Sequence, residues 1–372
     1  MACTMTKNAN GALEATSADD EPEPSDGPPL LCSECFKDVG LRLDSLRFGL
    51  PLRQSCPNCG SATGSLLDLG RIRWVAHRFF VLGSMAKSDY GGAPCIEFND
   101  LRENEISFDA ALQSDVDLIC SAAGVGFFPY GPPLWRLGHI GPLEALQDTA
   151  QSSAVVQRIL DEFPEHILQP DEPFYRLPKN VFRSTEPTEF DSPPDAFCGT
   201  GRLDSTDLPV LYGSPDLELC VHECRVTADD LIHVATLNAT RPLRLLDLTA
   251  VLEEDCTTFE SLDMTVHLLF LAGGHSYPIS RDISAAARRA GFDGVLFPSY
   301  FSLLRTGAPF LETVYGLTTR TFAGAKTHEY SKIVPNVAVF GRPIADGLVR
   351  VTCVNRLYIR RIAYDLGFGP AK

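Results

Sequence analysis

Four cysteines dictate a chemistry by their spacing alone. Cys32-Ser-Glu-Cys35 and Cys56-Pro-Asn-Cys59 are two C-x-x-C knuckles with 20 residues between Cys35 and Cys56. Two knuckles at this spacing bring four thiolates within tetrahedral reach of one Zn²⁺, and Pro57 and Gly60 suit the tight turn a knuckle needs. Four sulfur ligands leave no open coordination position, so this metal is expected to hold the fold and to do no chemistry. A second group is Arg202, Tyr212 and Glu223, a cation, an aromatic ring and a carboxylate. Together on one rim they suit an anionic, ring-bearing substrate. A lone Glu or Arg is mostly a solvated charge, so the elements that carry these residues must be read next.

Gly199 to Asp207 is a Gly- and Asp-rich turn holding Arg202, and Pro209 to Tyr212 reads as a short strand. Ser214-Pro215-Asp216 then reads as a helix start, with a hydroxyl N-cap, proline at the first position and an acid in the first turn. Leu217, Cys220, Val221 and Cys224 recur at i, i+3, i+4, i+7 and form the buried stripe of that helix. At 100° per residue Glu223 falls roughly 60° from the stripe's edge, beside Leu219 and half inside. Glu218 falls on the other side, toward water.

The chain of 372 residues, 44% hydrophobic and 22% charged, has the composition of an ordinary soluble globular protein with more than one unit. A net charge of −16 argues against nucleic-acid binding, which needs a basic footprint. Only the closing stretch reverses the sign, with Arg350, Arg356, Arg360 and Arg361 on exposed strand positions. The first thirty residues hold no apolar signal core and read as a disordered acidic tail. The densest apolar run, Val266 to Ala272, is too short to span a bilayer. A cytoplasmic location with no membrane partner is therefore expected, and the 12 cysteines are metal ligands or buried thiols.

Along the chain, Ile72 to Val81 fits a strand or a short helix. Phe108 to Ala122 and Val155 to Phe163 carry helical patterning, and His77, His139 and His166 are isolated. Prolines near residue 170 open the next segment. Strands are expected at Leu231 to Leu237, Arg241 to Leu248, Gly294 to Phe297, Val314 to Leu317, Asn336 to Phe340 and Leu348 to Ile359. A short amphipathic helix over Asp282 to Ala290 ends at Gly291. The expected domains are a tail (1–30), a Cys₄ zinc knuckle (31–62), a partly helical module (63–170) and a second domain (171–366).

Three familiar motifs fail. Gly199-x-Gly201 lacks the third glycine and preceding strand of a dinucleotide fingerprint. On a helix, His222 points away from Cys220 and Cys224, and His222-Glu223 lacks the H-x-E spacing of a zinc deaminase. No G-x-S-x-G elbow is present. The ordered set Tyr175-Arg176, Gly201-Arg202, Leu211-Tyr212, Glu223 and Gly291-Phe-Asp-Gly-Val-Leu-Phe-Pro-Ser299 resembles the RES-domain family, named for an arginine, a glutamate and a serine. The family's interval of eleven positions from tyrosine to glutamate is met by Tyr212 and Glu223. Leu203 departs from the aromatic often found after its Gly-Arg.

That resemblance implies an α+β fold like that of ADP-ribosyltransferases, with small packed sheets and flanking helices. It implies consumption of NAD as substrate, with nicotinamide released by phosphorolysis or hydrolysis, and a toxin paired with a neutralising protein partner. By the same resemblance, Glu223 stabilises the positive charge that builds on ribose. Arg176 and Arg202 grip pyrophosphate, Tyr212 and Tyr175 lie against nicotinamide, and Ser299 donates to a phosphate or ribose oxygen. Two alternatives are an ADP-ribosyltransferase acting on a macromolecule and a non-catalytic zinc-knuckle protein that binds a nucleotide.

Overall fold

The computed structural model describes residues 27–88, 91–130, 140–178, 186–227, 229–253, 261–306, 325–362 and 366–371. The expected tail up to residue 26, His139 and the 314–317 strand lie outside them. The chain divides into two compact units, one of residues 1–88, 92–133 and 364–372 and one of residues 89–91 and 134–363.

In the first unit, β1 (Leu31–Cys32), β2 (Leu50–Pro51) and β3 (Ser65–Leu67) form a small sheet in the order β1-β3-β2. Helix α1 (Val39–Phe48) starts on the carboxylate of Asp38, which accepts from Leu41 N at 3.0 Å. Asp68 starts α2 (Leu69–Ala76) in the same way, accepting from Arg71 N at 2.9 Å. Residues 72–81 are thus helical, and the chain runs on through a wider turn at His77–Val81. Two two-stranded pairs follow, β4 (Met85–Ser88) with β5 (Gly91–Pro94) and β6 (Ile96–Asn99) with β7 (Gly126–Pro129). Between β6 and β7, α3 (Ala110–Ala123) is capped by Asp109 and stopped by Gly124 at φ 65°. Phe79, Phe80 and Phe127 are fully buried at the centre of this unit with Val116 and Ile119. Asp115, 1% exposed, accepts from Lys37 N at 3.0 Å and Asp38 N at 2.7 Å, tying α3 to the start of α1.

Residues 366–371 lie against the surface of the same unit. Arg78 donates to Leu366 O at 3.1 Å. A Cβ at Gly40 would lie 2.6 Å from Phe368 Cβ, so only glycine lets this segment lie down on α1.

The second unit holds two sheets and their flanking helices, the expected α+β class. Its strands are β8 (Glu165–Leu168), β9 (Phe174–Arg176), β10 (Val210–Gly213), β11 (Ile232–Ala239), β12 (Leu243–Asp247), β13 (Gly294–Pro298), β14 (Pro335–Phe340) and β15 (Val349–Leu357). One sheet has the order β10-β14-β13-β12-β8, parallel only at β12–β13, and the other is the antiparallel β15-β11-β9. Side chains alternate across the larger sheet. Leu211, Leu245, Leu296, Val337 and Val339 face the smaller sheet, where they meet Phe174, Ala235 and Leu237. Val210, Leu246, Val295, Phe297, Ala338 and Phe340 face the helices. Burial on both faces explains why β13 reads as an unbroken apolar run.

The helices are α4 (Gly141–Gln147), α5 (Ser152–Glu162), α6 (Leu217–Glu223), α7 (Leu262–Leu271), α8 (Tyr277–Arg289), α9 (Ser302–Thr306) and α10 (Ala325–Tyr330). Gly291, at φ 86°, follows α8. No helix of the described residues is long and apolar enough to cross a membrane. The start of α6 differs from the sequence reading. Asp216 caps it, accepting from Leu219 N at 2.9 Å. Ser214 instead exchanges backbone hydrogen bonds with Tyr175, and its hydroxyl donates to Pro335 O at 3.0 Å. The Ser214 hydroxyl oxygen still accepts from Asp216 N at 3.2 Å, so the serine sets up the turn into the helix while its backbone pairs with a strand neighbour.

Helix α7 is buried along nearly its whole length, and burial pushes the His267 imidazole down from 6.5 to about 3. The unfolded chain takes up this proton near pH 6.5, whereas the folded protein refuses it until about pH 3. Stability is therefore lost as pH falls through that window, by about 1.4 kcal/mol per pH unit from this group. In urea unfolding, His267→Leu should lose stability less steeply than wild type between pH 6 and pH 4. Parallel slopes would place the histidine's proton exchange elsewhere.

Candidate active site

Glu223 is the last residue of α6, and Leu219, one turn earlier, is fully buried. The stripe of Leu217, Cys220, Val221 and Cys224 packs as its spacing requires, against Leu177, Ile232 and Val234. Glu223 itself is exposed rather than half inside, because the helix ends there and its flank opens onto a cleft. The carboxylate is nevertheless held from beneath. Ser299, at the end of β13 and 1% exposed, donates to Glu223 Oε1 at 2.5 Å. Asn336 on β14, 6% exposed, donates Nδ2 to the same oxygen at 2.7 Å. The Ser299 hydroxyl oxygen accepts from Phe301 N at 3.1 Å, which turns its proton toward Glu223. Oε1 is thus fixed, and among the described residues Oε2 has no partner. Ser299, expected to donate to a ligand oxygen, here donates to Glu223.

Tyr212 closes one wall. Its hydroxyl donates to Asp204 Oδ1 at 2.9 Å and accepts from Leu203 N and Asp204 N at 2.8 and 3.1 Å. Burial, and then the neighbouring Asp204 carboxylate, push this phenol far above its ordinary range, so it is a fixed wall and not a base. Gly201 makes room for this knot, since a Cβ there would overlap Asp204 Oδ1. Leu203 points into the helical core at 1% exposure, which removes it from the cleft.

The two arginines separate. Arg176 lines the cleft and bridges strands, donating to Tyr212 O at 2.9 Å and Asp191 O at 2.7 Å. Burial holds its guanidinium below the ordinary arginine range. It forms no ion pair among the described residues, so its positive charge is available to an anion. Arg202 does not line the cleft. It donates to Leu269 O at 2.9 Å and Ala272 O at 2.8 Å, binding carbonyls at the end of α7, and its plane lies near the Tyr277 ring at 4.9 Å. A cation at a helix C-terminus is a structural role.

The cleft encloses a cavity of about 250 Å³ lined by Tyr175, Arg176, Tyr212, Glu223, Phe297 and Asn336, with Cys220 and Cys224 at its side. Burial pushes the Cys220 thiol up to about 12, and both thiols donate to backbone carbonyls, Cys220 to Tyr175 O and Cys224 to Leu177 O. They are wall atoms, not nucleophiles. Sequence reasoning found Glu223, Arg176, Tyr212 and Tyr175 for this cavity. It missed Asn336, which meets Glu223 from a strand 113 residues away, and Asp204, which lies in the same turn as Arg202 but has no motif of its own.

In the first unit, the Cys32, Cys35, Cys56 and Cys59 sulfurs all lie within 4.8 Å of one another. Three separations are 3.8, 3.5 and 3.6 Å. A tetrahedron with metal–sulfur bonds of about 2.3 Å has edges of about 3.8 Å, so the four residues fit one ion. Cys32 N and Asn58 Nδ2 each approach Cys35 Sγ at 3.4 Å, the kind of outer donor that steadies a thiolate ligand.

Residues 173–307 match the family model of the RES domain. No curated protein matches the chain. Among solved structures the chain is similar to one in the crystal structure of the M. tuberculosis MbcT-MbcA toxin-antitoxin complex. That match has 15% identity over 55% of this chain and 92% of the other, with a TM-score of 0.32.

Proposed function

We propose that this chain, which carries a RES domain at residues 173–307, cleaves the bond between nicotinamide and ribose in NAD and passes the ribosyl carbon to water or phosphate. The observation that carries the reading is the carboxylate of Glu223, with one oxygen fixed by Ser299 and Asn336 and the other open at a cavity mouth. Breaking the bond builds positive charge on the ribose, and a carboxylate already oriented stabilises it without reorganisation. Nicotinamide leaves as a neutral ring, so no strong acid is needed. Phe297 and the ring of Tyr212 offer apolar walls for it. Tyr175 lies beside them, and Arg176 supplies the cation for a phosphate group. Arg202 acts at one remove, by bracing the end of α7. Resemblance to the family supports a growth-inhibiting role checked by a neutralising protein partner. The four cysteines are proposed to hold one structural Zn²⁺.

Purified protein incubated with NAD, with and without phosphate, tests the reaction. Free nicotinamide with ADP-ribose, or with its phosphorylated counterpart, supports it and identifies the acceptor. Label carried from NAD onto a macromolecule would support ribosyl transfer instead. Intact NAD would remove the reading.

The role of Arg176 is separable. Lysine keeps the charge but loses the planar fork. Arg176→Lys should weaken NAD roughly tenfold or more, the value of a charge-assisted hydrogen bond. Nicotinamide mononucleotide, which lacks the pyrophosphate, should be weakened less. Calorimetric titration of both ligands decides this, and equal losses would mean that Arg176 works only as a strap between strands.

A further inference from the structure

We infer that the rings of His222, Tyr300 and Phe301 form a stacking platform outside the cavity for the purine at the other end of the dinucleotide, a subsite that rests on the NAD reading above. Phe301 stacks on His222 with ring centroids 5.8 Å apart and planes at 28°, and Tyr300 meets Phe301 edge-on at 5.3 Å. Tyr300 is 46% exposed, and none of the three rings belongs to a hydrophobic core cluster of the described residues. Three aromatic rings gathered without a core to fill are a surface that fits another ring.

Their position ties them to the cleft. His222 directly precedes Glu223, and Tyr300 and Phe301 directly follow Ser299. The 2.5 Å bond from Ser299 to Glu223 clamps these two segments together, and Phe301 N donates to the Ser299 hydroxyl at 3.1 Å. The platform and the carboxylate therefore move as one piece. Size makes the same point. A cavity of about 250 Å³ is smaller than the roughly 300–1,000 Å³ that encloses a drug-sized ligand. It takes nicotinamide and its ribose and leaves the adenosine half outside. Stacking on aromatic faces is tolerant of base identity, because every base has a π-face. The platform thus supplies affinity for a purine with little choice between purines.

The test uses the full chain as wild type, Tyr300→Ala and Tyr300→Phe. ADP-ribose binding is followed by calorimetry, and cleavage is measured for NAD, its guanine analogue and nicotinamide mononucleotide. Tyr300→Ala should weaken ADP-ribose and raise KM for NAD roughly tenfold, with kcat kept. The guanine analogue should follow NAD, nicotinamide mononucleotide should be unaffected, and Tyr300→Phe should restore wild-type values. Tyr300 is exposed, so its loss leaves the fold intact. Wild-type NAD cleavage with an unchanged KM in Tyr300→Ala overturns the platform alone. Equal loss for NAD and nicotinamide mononucleotide also overturns it, since the ring would then act on the carboxylate. ADP-ribose binding that depends on Tyr300 in a protein that leaves NAD intact keeps the platform and removes the cleavage reading. A protein that neither binds ADP-ribose nor cleaves NAD loses both.

Discussion

Glu223→Gln is expected to lower kcat for NAD cleavage by about 10²–10³ while leaving KM nearly unchanged, the loss typical of one removed electrostatic stabiliser. Glutamine keeps the size of the side chain, and its amide oxygen can still accept from Ser299 and Asn336. Only the charge is lost, and that charge matters most when the ribose becomes cationic. Asn336→Ala should cost less, roughly tenfold in kcat, because Ser299 still holds the oxygen. Glu218→Gln is the control. Glu218, 63% exposed at its side chain, pairs with Arg305 at 3.0 Å, and an exposed pair of this kind contributes at most about 1 kcal/mol. Steady-state kinetics of the three variants give the ranking. Equal effects from Glu223→Gln and Glu218→Gln would show that the carboxylate of Glu223 does nothing special.

The second large effect concerns the cysteines. Protein purified without added zinc should contain about one equivalent of it, since structural Cys sites in zinc-finger peptides bind with roughly 10–16 kcal/mol of apparent free energy that is also folding free energy. Cys59→Ser should lose the metal and abolish the melting transition of the first unit. Every residue assigned to NAD belongs to the second unit, so cleavage should survive the change. Metal-free wild-type protein with four freely titrating thiols at these positions would remove the metal. Loss of cleavage together with zinc would give the ion a part in the reaction.

What could be read from the sequence follows from how far each signal reaches along the chain. The cysteine knuckles are two local turns, and spacing alone brings their sulfurs together. The α6 stripe reports its own helical face, so Cys220 and Leu217 were legible. Glu223 was legible as a flank residue and Ser299 through the ordered motif set, but the bond between them and the part of Asn336 were not. Ser299 lies 76 residues away and Asn336 lies 113 residues away, and no periodicity announces which strand end will meet a helix end. Arg202 shows the opposite failure. Its Gly-flanked turn suggested a ligand cation, yet the carbonyls that hold it come 67 and 70 residues later, where α7 stops. Ser214 had the chemistry of an N-cap, yet its backbone joins a strand bridge, its hydroxyl serves the turn into the helix, and Asp216 caps that helix. Local rules state what a residue can do, and tertiary neighbours choose among those uses.

The docking of residues 366–371 has a consequence for the order of events at the ribosome. The surface of α1 at Gly40 and the backbone at Gly83 meet Phe368 and Gly369, so the first unit is completed by residues synthesised more than two hundred positions after its own α3. At about 5–20 residues per second, that interval lasts on the order of ten to fifty seconds. The knuckles and the β3 strand that pairs with Cys32 all lie within residues 31–67, so the four cysteines can come together long before that interval ends. The carboxylate clamp is late for the same reason, because Glu223 lacks Asn336 until β14 emerges. A nascent chain therefore passes most of its synthesis with its four cysteines gathered and its cleft unfinished.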